Sequence, residues 1–224
     1  MSRIVPPNPV LEVVYPDTDG RPMAENTRQY RWIVMIKENL EVLFGDRPDV
    51  FIAGDLFWYP VEGNPRIVTA PDVMVAIGRP KGDRDSFKQW EEAGVAPQVV
   101  FEIRSTSNSD AEMAEKLRFY ERHGVEEFYD FDPETGSLFG WQRTGRVLKA
   151  IPDAYGSTSP TLGIRFERDD GPEFLRIVGP DGGRFLTTLE HSEARKLAER
   201  RAQAERERAE RLAAKLRELG IEPD

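Results

Sequence analysis

Two strand-like segments of this chain each carry one carboxylate among apolar residues. APDVMVAI places Asp72 at the start of an apolar run, and QVVFEI places Glu102 between Phe101 and Ile103. A carboxylate in such surroundings is costly unless it is paired, protonated or bound to a cation. Two such acids on neighbouring strands could point at one spot. A hard divalent ion there would take one or two carboxylates, with waters and substrate oxygens completing its shell. Equally, Glu102 could end its strand facing solvent or a nearby arginine.

The chain after Glu102 reads RSTSNSDAEMAEKLRFYERHGVEEFYDFDP. Ser107–Asp110 can cap a helix, and Glu112 and Glu115 suit its positive N-terminal end. Lys116 lies two turns in. Leu117, Tyr120 and the following strand EEFYDF indicate that one helix face packs on a sheet. An ammonium reaching back across that face could hold a scissile phosphate or lower the pKa of an attacking water. On spacing alone, a lysine lying over the sheet edge accounts for Lys116 as well.

The elements that must position these residues follow from periodicity and turn signals. A helix is expected from about Asn26 to Phe44, where Tyr30, Ile33, Val34, Leu40 and Phe44 recur near the helical period. Strands are expected at Val50–Tyr59, Arg66–Thr69, Asp72–Ile77, Gln98–Ile103 and Glu127–Phe131, with a polar loop or short helix in GRPKGDRDSFKQW. The helix Asp110–His123 ends at Gly124. Leu138–Gln142 and Arg146–Ile151 flank RTG as a hairpin. Further short strands are expected near Val10–Val14, Gly163–Glu167 and Glu173–Val178. The order QVVFEI, helix, EEFYDF is a βαβ unit, so two strands run parallel in a mixed α/β core.

From about Thr187 the composition changes. Glu190–Leu219 holds seven Glu and nine Lys or Arg, with Ala and Leu as its apolar types. It reads as a long charged helix with opposite charges at Arg201–Glu205, Arg206–Glu210 and Glu207–Arg211. Leu212, Leu216 and Leu219 form a short seam that Glu205 interrupts. A lone solvated helix and a coiled-coil arm joining a homodimer fit it equally. Residues 1–186 are therefore expected to form the core domain and 187–224 a helical tail.

Composition narrows the chemistry. The chain has 224 residues, 39% of them hydrophobic, enough for one domain with a real core. It has no cysteine and two histidines, His123 and His191, so thiolate catalysis and Cys- or His-rich metal sites are excluded. Oxygen ligands suit Mg²⁺ or Mn²⁺. No apolar run approaches the roughly eighteen residues of a membrane span, and no secretory signal is evident, so a cytoplasmic protein is expected. The net charge of -9 speaks against coating nucleic acid by bulk positive charge, but not against an enzyme that gathers carboxylates and recruits its positive charge as metal ions.

The order PD, then E-x-x-S, then D…K…Y, then G-V-E-E-F-Y…D-P, resembles the Uma-type bacterial endonuclease family of the PD-(D/E)XK restriction-endonuclease-like superfamily. The likeness spans roughly Tyr15 to Phe185 and includes YPDTDGRPMAENTRQYRW upstream. It implies a restriction-endonuclease-like mixed sheet flanked by helices. It further implies that Asp72 and Glu102 ligate the metal, that Lys116 is the lysine moved from strand to helix, and that Glu25 is an outer acid. One departure is Arg104, which stands where the usual pattern has lysine and cannot act as a base at ordinary pH.

Other residues carry weaker signals. Asp55 could join the cluster, although a structural pairing is favoured. Glu127, Asp130 and Asp132 read as edge and turn residues. Arg79, Lys81, Arg84 and Lys88 could contact phosphates, and His123 suits a helix C-terminus. DGRP and GPDGGR lack phosphate-loop spacing, and no serine-hydrolase elbow is present. The leading expectation is a metal-dependent endonuclease acting on DNA. The alternatives are a non-catalytic adaptor working through its C-terminal helix, and a nuclease acting on RNA or a small phosphodiester.

Overall fold

In a computed structural model, residues 13–18, 20, 24, 26–171 and 173–218 are described. Helix α1 (Thr27–Leu43) starts at Asn26, whose side chain accepts the Gln29 N–H at 2.8 Å. Its buried stripe of Trp32, Ile33, Ile36 and Leu40 lies on one face of a central sheet.

That sheet contains β1 (Val50–Gly54), β3 (Val73–Ile77), β5 (Val99–Ile103), β6 (Glu127–Asp132), β7 (Ser137–Thr144) and β8 (Val147–Ala150), in the order β1-β3-β5-β6-β7-β8. β5 and β6 run parallel, while the other neighbours are antiparallel. The parallel pair is joined by helix α2 (Asp110–His123), as the βαβ order requires. Ser109 caps α2, and Gly124 ends it in the left-handed conformation at φ 97°, where a side chain would be strained.

Strand residues alternate between two cores. Val73, Val75, Val99, Phe101, Tyr129 and Phe131 pack with α1. Phe51, Met74, Val100 and Phe128 pack with Met113 and Tyr120 of α2. Helices on both faces explain why the strands are apolar throughout. β9 (Arg165–Arg168) and β10 (Leu175–Val178) form an antiparallel ribbon whose Phe166, Leu175 and Ile177 join the α1-side core.

The expected strand Val50–Tyr59 is broken. Asp55 adopts φ 49°, and its N–H lies 3.1 Å from the Pro71 carbonyl and 3.3 Å from that of Asp72. The chain then leaves the sheet, and β2 (Trp58–Tyr59) pairs in parallel with β4 (Phe87–Lys88), a strand within the segment expected to be loop or helix. Arg66–Thr69 contributes a single bridge, Trp58 to Thr69, in place of a strand. Val13 and Val14 are exposed and not in a strand, while residues 10–12 lie outside the described residues.

Residues through Phe185 form one compact unit, and those from Leu186 a second. In the second, α3 (Thr188–Glu218) opens with a capping box. Glu190 accepts the Thr187 N–H at 2.8 Å, and Thr187 Oγ1 accepts the Glu190 N–H at 3.3 Å. Arg195 meets Glu199 at 3.6 Å, and Glu207 meets Arg211 at 4.0 Å. Leu212 is exposed; Leu219 and the side chain of Leu216 lie outside the described residues. Among the described residues, no helix is long and apolar enough to cross a membrane.

Candidate active site

β3 and β5 are antiparallel, with Val73 opposite Phe101. One further step along that register sets Asp72 opposite Glu102, and opposed residues share a sheet face. Both acids are buried, Asp72 8% and Glu102 2% exposed. The Asp72 Oδ2 atom accepts the Ile103 N–H at 2.6 Å, which fixes the orientation of that carboxyl.

Glu102 is held from above by α2. Lys116 and Tyr120 are one turn apart and so lie on one stripe of the helix. The Lys116 ammonium donates to Glu102 Oε2 at 2.7 Å, and the Tyr120 hydroxyl donates to Oε1. Asp72, Glu102 and Lys116 therefore converge, and Tyr120 joins them. In the sequence Tyr120 reads as a packing residue and as the tyrosine of the D…K…Y order; its spacing of four from Lys116 sets both on one stripe.

The charges are strongly coupled. Burial, followed by the neighbouring Glu102 charge, pushes the Asp72 carboxyl well above the usual range, with Lys116 opposing. Burial works to lower Lys116, but the charges of Glu102 and Asp72 outweigh it, and its pKa rises. Burial and Glu102 push the Tyr120 hydroxyl well up, so it remains a donor.

Asp72 and Lys116 open onto a cleft of about 550 Å³. Asp55 lies on its wall. Gly54 is opposite Val73, so continuing the register sets Asp55 beside Asp72, where its charge adds to the upward push on that carboxyl. Asp55 thus lines the cleft. Glu25 lies outside the described residues.

The remaining candidates are engaged elsewhere. Arg104 donates to Asp130 at 2.9 and 2.7 Å and to Asp110 at 2.6 Å, so it does not stand in for a lysine at the site. Asp130, expected at an edge, is 1% exposed in that pairing. Glu127, also expected at an edge, is buried; it accepts the Tyr129 hydroxyl and the Thr161 N–H, each at 2.8 Å. Asp132 caps its turn as expected, accepting the Glu134 N–H at 2.8 Å. Arg79 and Arg84, considered for phosphates, clamp Glu92 at 2.8 and 2.6 Å. Lys81 donates to the Phe44 carbonyl at 2.8 Å, and Lys88 pairs with Glu91 at 3.3 Å. His123 ends α2 but packs against Phe119 with ring centroids 4.6 Å apart, and burial lowers its pKa.

Among the described residues, no group of three or more His, Cys, Asp or Glu could hold a metal ion. Mg²⁺ and Mn²⁺ do not require one: one or two carboxylates plus water and phosphate oxygens suffice for Mg²⁺, and oxygen ligands suit Mn²⁺ as well. The buried, mutually repelling pair Asp72–Glu102 fits such an ion, because a cation relieves the desolvation that raises the Asp72 pKa.

Comparison with known proteins gives two likenesses. The model of the Uma2 family, described as "putative restriction endonuclease", matches residues 39–168, more than half the chain and all of Asp72, Glu102 and Lys116. A crystal structure of a "putative nuclease belonging to DUF820" from Anabaena variabilis matches with a TM-score of 0.46 and 15% identity, covering 62% of this chain and 74% of that one. No curated protein matches.

Proposed function

Since this chain belongs to the Uma2 family, we propose that it is a divalent-metal-dependent endonuclease hydrolysing phosphodiester bonds in DNA, with residues 1–186 as the nuclease domain. The observation that carries this reading is the contact of Lys116 with Glu102 at 2.7 Å, beside Asp72 on the wall of an open cleft. Asp72 and Glu102 are the ligands for Mg²⁺ or Mn²⁺. When bound, such an ion polarises a phosphate oxygen and makes water a better nucleophile at neutral pH.

The chain's own residues do the rest. The Ile103 N–H holds one oxygen of Asp72, which lines the cleft. Tyr120 holds one Glu102 oxygen, so the carboxylate cannot rotate freely. Lys116, with an ammonium at the cleft, offers fixed positive charge where a phosphorane-like transition state accumulates negative charge.

Purified protein on supercoiled plasmid, with Mg²⁺, Mn²⁺ or EDTA, tests the proposal. Nicking or linearisation is expected with either metal and not with EDTA or with Asp72→Ala. Cleavage that persists in Asp72→Ala would overturn it.

A further inference from the structure

The cleft beside Asp72 has one aromatic side. Phe57 lines it and belongs to neither apolar core. Tyr59 meets Phe57 edge-on at 6.1 Å, Tyr15 meets Tyr59 edge-on at 5.1 Å, and Trp90 lies 5.0 Å from Tyr15. The Lys88 ammonium stands 5.7 Å over the Tyr15 ring. Four rings therefore form a track leading from the cleft wall outward. Tyr59 is buried and braces the track through its hydroxyl, which donates to the Pro16 carbonyl, while Phe57, Tyr15 and Trp90 are partly exposed.

The charge around the cleft has the opposite character from a duplex-binding surface. Among the described residues, its lining carries three acids, Asp17, Asp55 and Asp72, and one cation, Lys116. The cations of the β3–β4 segment are committed to Glu92, Glu91 and the Phe44 carbonyl, and Arg104 is committed to Asp130. Duplex DNA presents a phosphate about every 1.7 Å and is bound mainly by neutralising them. An unpaired strand adds the stacking of its exposed bases on aromatic rings to the contacts its phosphates make with cations. Asp72 is also buried at the cleft, where a phosphate must descend to meet it.

We propose that the substrate enters as an unpaired DNA strand, its bases stacked along Phe57, Tyr15 and Trp90, which Tyr59 braces from beneath, and its scissile phosphate lowered to Asp72 and Lys116. This rests on the nuclease reading above and adds the substrate class.

Fluorescence anisotropy with the full chain carrying Asp72→Asn tests it without cleavage. One labelled oligonucleotide is presented as a single strand and as a duplex. The single strand is expected to bind roughly tenfold tighter or more, and Phe57→Ala or Trp90→Ala is expected to weaken it by roughly tenfold. The salt dependence should be shallow, with a slope of about −0.7 for each of one or two phosphates. Trp90→Ala, remote from the cleft floor, keeps the test valid should Phe57→Ala fail to fold. Tighter duplex binding, a steep salt slope, no binding of either form, or full affinity in Trp90→Ala would each overturn the proposal. Metal-dependent plasmid cleavage lost in Asp72→Ala would still uphold the nuclease reading in every such case.

Discussion

The Asp72 carboxyl accepts the backbone N–H of Ile103 at 2.6 Å, so the residue after Glu102 aims Asp72. The two acids are thereby tied by backbone geometry as well as by register.

Lys116→Ala is expected to cut the cleavage rate by about 10²–10³ while a divalent ion still binds, because lysine is no ligand. Lys116→Arg should restore little, since guanidinium has a different shape and does not give up its proton. Single-turnover kinetics together with calorimetric titration of Mn²⁺ would separate the two effects. Metal binding lost along with Lys116 would contradict the assigned role.

Tyr120→Phe removes one hydroxyl from a buried position and leaves Glu102 Oε1 without that donor. Groups that orient a ligand typically contribute about 10–100-fold to metal affinity. A Mn²⁺ titration should show a loss in that range with the fold intact by circular dichroism. Unchanged affinity would make Tyr120 a packing residue only.

The raised Asp72 pKa has a definite consequence for stability. The folded state holds this proton more tightly than the unfolded chain does. Without metal, Asp72 therefore contributes most below the ordinary carboxylate pKa, and stability falls as pH rises through its elevated folded value. Asp72→Asn should flatten that fall and raise the melting temperature at neutral pH. Mg²⁺ or Mn²⁺ at millimolar concentration should do the same for the wild type and release protons. Melting curves against pH, with and without metal, check both statements.

A chain ending at Phe185 should fold and retain the activity of the full chain, because α3 exposes Leu189, Leu197 and Leu212 and offers few large apolar groups to any core. Size-exclusion chromatography of the two forms would show whether α3 joins two copies. A truncated protein that failed to melt cooperatively would place the domain boundary elsewhere.

Much of this arrangement was legible in the sequence because its signals were local. Ser109 and Gly124 bracket α2, and the alternating apolar residues of β3 and β5 identify their buried faces. The acids announced themselves by being out of place among Val, Phe and Ile. What was illegible depends on distant partners. Glu127 reads as an edge acid until Tyr129 and Thr161 are seen to enclose it. The basic run after β3 reads as a phosphate contact until Glu92, itself buried, is found between Arg79 and Arg84. Asp55 reads as a mid-strand residue because no rule of alternation anticipates a left-handed aspartate.

Asp55, Asp72 and Glu102 stand side by side across one end of three paired strands, where like charges oppose the pairing that the rest of the sheet favours. That end is expected to open more readily than the middle of the same strands. Amide exchange at Ile103 and Asp55 should accordingly be faster than at Val75 or Val100. A bound cation would slow it at those two positions first, making local breathing of the sheet a direct gauge of whether the pair of acids is neutralised.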